Sequence, residues 1–168
     1  LLAFAWVTDF PLFDWDAESK KLTYMHHPFT SPTDSAILAE ENRSLLLKAS
    51  SRAYDLVLNG QELGSGSIRI HDPQIQRQVF SKLGIPEDYV QENFGFFLRA
   101  LEYGAPPHGG IALGMDRFVS VLMGLPSIRD TIAFPKNKNS ACPLTAAPGS
   151  VEFEQLRECH ISIREKTG

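Results

Sequence analysis

Cysteine is scarce in this 168-residue chain: Cys142 and Cys159 stand alone, without C-x-x-C spacing or paired histidines beside them. That excludes a disulfide framework, gives no zinc signature and makes a reducing compartment the expectation. Long apolar runs are missing too, so nothing approaches a membrane span. The opening Leu1-Leu2-Ala3-Phe4-Ala5-Trp6-Val7 also lacks the charged region and cleavage pattern of a signal peptide. Positive charge is not in excess. Sixteen Lys and Arg against 20 Asp and Glu leave a net charge of −4, so the domain carries no overall basic footprint and any nucleic-acid contact must be local. There is no initiator Met, which makes a piece of a longer chain the expectation. What remains, 43% hydrophobic and 21% charged, is the composition of a globular domain with one core. No internal repeat, low-complexity tract or domain boundary stands out.

The spacing of apolar and turn residues predicts alternating strands and helices. Residues 4–13 read as an apolar strand ending at Pro11, followed by a polar turn through Asp14–Lys21 and a return over Leu22–Met25, a hairpin that presents His26-His27 at its exit. Residues 34–50 read as a partly helical excursion. Ala53–Leu58 and Ser67–His71 are expected to form a central hairpin. Asp72 reads as the N-cap of a helix over Gln74–Leu83, and Pro86 opens a second helix that reaches toward Gly104. Its Val90, Phe94, Phe97, Leu98 and Leu101 fall at helical spacing and are expected in the core. Gly109 to Gly114 reads as a glycine-punctuated strand leading into a helix over Arg117–Met123, closed by Gly124. A last amphipathic helix is expected over Val151–Arg157.

The stretch from Asn59 to His71 carries the strongest chemical signal. With Ser65 and Gly66 as turn residues, Glu62 would lie directly across from Arg69, a carboxylate and a guanidinium on one surface. Two readings are open: a cross-strand ion pair, or a cradle where glycines let a ligand approach backbone. Farther on, a glycine-rich strand delivering Arg117 to a helix start is a geometry suited to phosphate. A cation at that end of a helix faces an unfavourable dipole, which an anionic ligand would relieve.

Three segments occur in order: His26-His27-Pro28-Phe29-Thr30, Tyr54 to Gly60 with Glu62 and Arg69, and Pro106-Pro107-His108-Gly109-Gly110 leading to Gly114-Met115-Asp116-Arg117. Ser127 to Lys136 follows them. Together they closely resemble the C-terminal part of the catalytic domain of bacterial-type aspartyl-tRNA synthetases, over nearly the whole chain. The resemblance implies an α+β class II fold, an antiparallel sheet flanked by helices, with residues 1–168 as its C-terminal portion and the third class motif at 110–117. It implies ATP and Mg2+ as cofactors, aspartate and tRNA-Asp as substrates with tRNA-Asn as an alternative acceptor, and a homodimer in the full-length enzyme. It also implies no membrane partner and a location in the cytoplasm or an organellar matrix. The first and second class motifs would lie upstream of this chain.

Carried over residue by residue, Arg69 binds the aspartate side chain, where a planar fork suits a planar acid. His26 lies beside the amino acid with His27 as its neighbour; a His pair before Pro is also a common hydrogen-bonded loop feature. Glu62 is an ATP and Mg2+ ligand with Asp55 as acidic partner. The two are seven apart and would face opposite sides of an ideal strand, unless a bulge near Asn59-Gly60 reconciles them. Arg117 holds the terminal phosphate of ATP, while Gly114, Met115 and Asp116 line the adenosine. His71 and His108 read as structural. One departure is Gly64-Ser65-Gly66, where the family carries three glycines. The alternative reading is a truncated paralogue serving as a binding module, and a sister asparaginyl or lysyl enzyme is disfavoured by the His26–Thr30 and Tyr54–Gly60 segments.

Overall fold

A computed structural model describes residues 1–164. Its centre is an antiparallel sheet of β1 (Phe4–Val7), β4 (Ala53–Leu58), β5 (Gln61–Ile68) and β6 (Gly109–Leu113), in that order. A separate hairpin pairs β2 (Phe13–Asp16) with β3 (Lys21–Tyr24). The helices are α1 (Arg43–Leu46), α2 (Pro73–Lys82), α3 (Glu87–Glu102), α4 (Met115–Met123) and α5 (Phe153–Glu158), with 3-10 turns at Ser35–Ala39 and Ile128–Asp130. The expected α+β class, with an antiparallel sheet and flanking helices, is what the chain forms. None of these helices is long and apolar enough to cross a membrane.

The central hairpin turns elsewhere than expected. Asn59 at φ 50° and Gly60 at φ 80° make the turn, both in the left-handed region that the twist of paired strands demands and that Asn and Gly tolerate best. Ser65 and Gly66 instead lie within β5, opposite Asp55 and Tyr54 on β4. Glu62 therefore faces Val57 rather than Arg69, and the expected Glu62–Arg69 juxtaposition does not exist. Seven residues of extended chain separate the two, on the order of 20 Å. The glycines at 64 and 66 answer to packing: a Cβ on Gly64 would sit 2.6 Å from the Ala112 carbonyl oxygen, and one on Gly66 2.2 Å from that of Gly110.

The N-terminal strand is also shorter than the apolar pattern predicts. Only Phe4–Val7 pairs in the main sheet, and Asp9, at φ 60°, breaks the run before Phe13 enters the hairpin with β3. Asp14–Asp16 are strand, not turn. The 34–50 excursion is partly helical as expected. Asp72 caps α2 through bonds to the Gln74 and Ile75 amides at 2.7 and 3.3 Å, with Pro73 in the first turn, where its missing N–H costs nothing.

Two apolar clusters fix this frame. Leu12, Phe13, Leu38, Leu46, Ile70 and Val79 form one; Phe80, Val90 and Leu98, with Phe29 and Phe94 against them, form the other. Each fully buried Leu, Val or Phe contributes about 1.5–3 kcal/mol of apolar transfer. Leu101 is buried as the helical spacing predicts, while Phe94 and Phe97 are half-buried beside a cavity of about 470 Å3 that also touches Arg69 and His108.

Candidate active site along strand β5

Arg69 stands just past the end of β5, where the chain is tied on both sides. Its amide donates to the His108 carbonyl at 2.9 Å, and its backbone bridges to Thr30 in the His26–Thr30 loop. That loop is held from below by Gln76 of α2, fully buried, whose Nε2 donates to the Pro28 carbonyl at 2.8 Å. The Tyr24 hydroxyl donates to the Thr30 carbonyl at 3.1 Å, and burial pushes its phenol well above the ordinary range, keeping it a donor. Thr30 Oγ1, wholly buried, donates in turn to Ser67 Oγ at 3.3 Å.

On this platform the Arg69 guanidinium meets the His27 ring, with Nη1 3.1 Å from Nδ1 and in contact with Nε2. A neutral imidazole offers a lone pair to such a donor. Burial, then the Arg69 charge, then His26 lower the His27 pKa and hold the ring neutral. His26 is exposed, its ring edge-on to Phe10 at 4.8 Å. His26, His27, Thr30, Ser65, Gly66 and Arg69 line a cavity of about 280 Å3. None of the ion pairs among the described residues involves Arg69, so a half-buried guanidinium faces this cavity without a counter-ion.

The other end of β5 meets α4. The Gly114 amide donates to the Leu63 carbonyl at 2.7 Å, and Arg117 Nη1 donates to the Glu62 carbonyl at 2.5 Å, so the helix start is stitched to the strand. Thr131 Oγ1 donates to the Asp116 carbonyl at 3.1 Å from the other side. Helix α4 begins at Met115, two residues earlier than the pattern predicts, which places Arg117 inside its first turn. Gly114, Met115, Asp116, Arg117 and Glu62 are all exposed.

Between these ends lies Asp55. Leu56 pairs with Gly64 but Val57 with Glu62, so Leu63 is an extra residue, a bulge in β5. Residues paired across an antiparallel ladder share a face, and so do alternate residues of one strand. Asp55 and Val57 thus share a face with Ser65 and Glu62, and the bulge brings both carboxylates to one side, as Asp55 requires. It lies opposite Leu56 and Val57 rather than at Asn59-Gly60. Asp55 Oδ1 is buried with no hydrogen-bond partner, a cost a cation would relieve. Among the described residues no cluster of three or more His, Cys, Asp or Glu could hold a metal by itself. Two carboxylates that leave further positions to phosphate oxygens is the arrangement Mg2+ favours.

Each sequence-picked residue therefore falls along β5 or against it, in two groups instead of one: Arg69, His26 and His27 at one end, Glu62, Gly114, Met115, Asp116 and Arg117 at the other, with Asp55 between. His71 is exposed and apart from both, and His108 supports Arg69 through its carbonyl. Thr30, Ser67 and Gln76 were not singled out from the sequence, where each is one polar residue among many.

Solved structures of tRNA synthetases share this fold. An aspartyl-tRNA synthetase from Entamoeba histolytica matches with a TM-score of 0.60 at 24% identity, over 83% of this chain and 24% of that one. An asparaginyl-tRNA synthetase from the same organism, solved with asparaginyl-adenylate, matches with a TM-score of 0.60 at 21% identity, over 84% of this chain and 27% of that one. A family model for class II tRNA synthetases (D, K and N) matches residues 2–138, and the chain belongs to that family. It is 53% identical to an aspartate–tRNA(Asp/Asn) ligase of Thermodesulfovibrio yellowstonii over 95% of its length and 28% of the relative's. It is 55% identical to one of Thermosynechococcus vestitus over 94% of its length and 25% of the relative's. The chain thus spans about a quarter of the curated relatives it matches.

Proposed function

We propose that residues 1–168 form the C-terminal portion of the catalytic domain of an aspartate–tRNA ligase, which activates aspartate with Mg-ATP and passes it to the 3′ end of tRNA-Asp, with tRNA-Asn as a second acceptor. The full-length enzyme is a cytoplasmic homodimer on this reading. The observation that carries it is Arg69: a half-buried guanidinium without a counter-ion, facing a cavity of about 280 Å3 that admits a small acid. The naming of the relatives points the same way.

On this reading the work is divided along one strand. Arg69 takes the side-chain carboxylate with two parallel N–H bonds, and His26 and His27 flank it. A neutral His27 adds no second charge beside Arg69, and the guanidinium favours a carboxylate over an amide. At the far end Arg117 neutralises the terminal phosphate of ATP, and Gly114, Met115 and Asp116 receive the adenosine. Asp55 and Glu62 would hold Mg2+ on the ATP phosphates, and the ion would supply charge neutralisation during displacement of pyrophosphate. The aspartate α-carboxylate attacks the α-phosphorus, pyrophosphate leaves, and the 3′-hydroxyl of tRNA then attacks the acyl carbon and releases AMP. Little covalent work falls to these side chains; they position and neutralise.

The test is aspartate-dependent ATP–pyrophosphate exchange by the full-length enzyme with and without Arg69→Leu. Wild-type exchange with a loss of about a thousandfold in kcat/KM for aspartate is expected, because a site built for an ionic partner is left mismatched. A folded Arg69→Leu enzyme with near-normal kcat/KM would remove the substrate assignment. Absence of exchange in the wild type would favour the binding-module reading.

A further inference from the structure

Gly64-Ser65-Gly66 is a stretch of β5 with one side chain. The two glycines are forced by close packing, since a Cβ at either would come within 2.6 Å of a β6 carbonyl oxygen, and at Gly66 within 2.6 Å of the Tyr54 ring as well. Ser65 points the opposite way. It pairs with Asp55 on one side and Ala112 on the other, and so shares the face of Asp55 and Glu62. Its backbone is extended and outside the left-handed region, so the serine sits there without strain. Ser65 lines the cavity of His26, His27 and Arg69. Ser67, two residues on, accepts from Thr30, whereas among the described residues the Ser65 hydroxyl takes up no such partner.

We propose that Ser65 is a substrate-contact residue that tunes affinity for the amino acid: its hydroxyl donates a hydrogen bond to the α-carboxylate of the aspartate whose side chain is held by Arg69. This rests on the aspartate reading of the cavity. Four residues of strand separate Ser65 from Arg69, roughly 13 Å between Cα atoms, a span that an arginine side chain and a four-carbon diacid fill together. The head group of the acid then lies over Ser65, on the path from Arg69 toward Asp55 and Glu62. The oxygen that accepts from Ser65 is the one not used in attack on phosphorus. It persists as the carbonyl oxygen of the acyl-adenylate and still accepts, but without the charge, so the bond is strongest to the bound acid and its loss raises KM without lowering kcat.

The experiment is exchange kinetics on the full-length enzyme, with aspartate binding measured independently by calorimetry, for Ser65→Ala, Ser65→Gly and Ser65→Thr. Ser65→Ala and Ser65→Gly are expected to raise the aspartate KM and dissociation constant roughly tenfold, as loss of a hydrogen bond to a charged group does, with kcat and the KM for ATP unchanged. Ser65→Thr keeps the donor and should stay near wild type, a rescue that a purely steric role would not give. Unchanged aspartate KM in both Ser65→Ala and Ser65→Gly overturns the proposal, and so does an equal rise in the KM for ATP. If Arg69→Leu abolishes aspartate activation while Ser65→Ala does nothing, the Ser65 contact alone fails. If neither matters, the aspartate reading of the cavity fails with it.

Discussion

At the Arg69 end of β5 the supporting side chains are buried and bonded to one another: Thr30 and Gln76 are fully buried, and Tyr24, Thr30, Ser67 and His27 form one hydrogen-bonded set around the guanidinium. At the Glu62 end the same strand meets a helix start in which residues 114–117 are all exposed, and Met115, Leu122 and Met123 show 59%, 48% and 67% of their surface. On the proposed function the contrast has a chemical reason. Recognition of a small acid needs a rigid, partly desolvated cation whose partners are fixed in advance. A nucleotide is larger and more polar, and on that reading its phosphates would be met by Arg117, a helix start and an Mg2+ ion held by Asp55 and Glu62.

The largest expected effect that would break this comparison concerns Arg117. In the full-length enzyme Arg117→Ala should weaken use of ATP by about 1.5–3 kcal/mol, the worth of a charge-assisted phosphate contact, while urea unfolding shifts by no more than about 0.5 kcal/mol. Kinetics unchanged in a folded variant would take Arg117 out of the site. A large loss of stability would mean that the Glu62 carbonyl bond at 2.5 Å serves the fold rather than the nucleotide.

Next in size is Gly66→Ala. The added methyl would meet the Gly110 carbonyl oxygen at 2.2 Å and the Tyr54 ring at 2.6 Å, and the Tyr54 hydroxyl itself donates to Gly110 at 3.0 Å. Backbone on one side and a tethered ring on the other leave little room to relax. A loss of about 1–3 kcal/mol in urea unfolding is expected, with β6 and α4 displaced from β5, so exchange activity in the full-length enzyme should fall through the ATP KM. A neutral result would show that the β5–β6 seam is looser than its register implies.

Smaller again is Asp72→Ala, which removes the cap of the helix that carries Gln76 beneath the Arg69 platform. About 1 kcal/mol of stability should be lost, and Asp72→Asn should restore most of it.

How far the sequence disclosed this site depends on distance along the chain. Asp72-Pro73 marks a helix start through a cap bond, and Pro86-Glu87-Asp88 marks one through the fixed φ of proline and acids in the first turn, signals that all act within three residues. The glycine strand followed by Arg117 was likewise readable as one local unit. The central turn was misplaced because Gly-Ser-Gly and Asn-Gly are both turn signals. What separates them is the close approach of β6 at Gly64 and Gly66, a contact with residues more than 40 positions away. The Leu63 bulge has no signature of its own. Thr30 and Ser67 are 37 residues apart, and Gln76 and Pro28 are 48 apart, so partnership between such ordinary polar residues exists only once the sheet has formed.

The smallest effect tests the neutral state of His27. Burial, the Arg69 charge and His26, in that order, depress its pKa below the ordinary 6.5. The unfolded chain therefore takes up a proton at this residue before the folded chain does. Well above pH 6.5 neither state is protonated and His27 has no effect on stability. As pH falls from there through the depressed folded value, the unfolded state binds more protons and stability declines, levelling off once both are charged. Removing Arg69 lifts only the second of the three causes, so in Arg69→Leu the His27 midpoint, followed by NMR of the ring protons, should move part of the way back toward 6.5 and the acid loss of stability should shrink. A His27 midpoint at or above 6.5 in the unmodified chain would mean that the ring is charged beside the guanidinium. The Arg69 end would then hold an added cation, and its contrast with the open Glu62 end would rest on charge rather than on order.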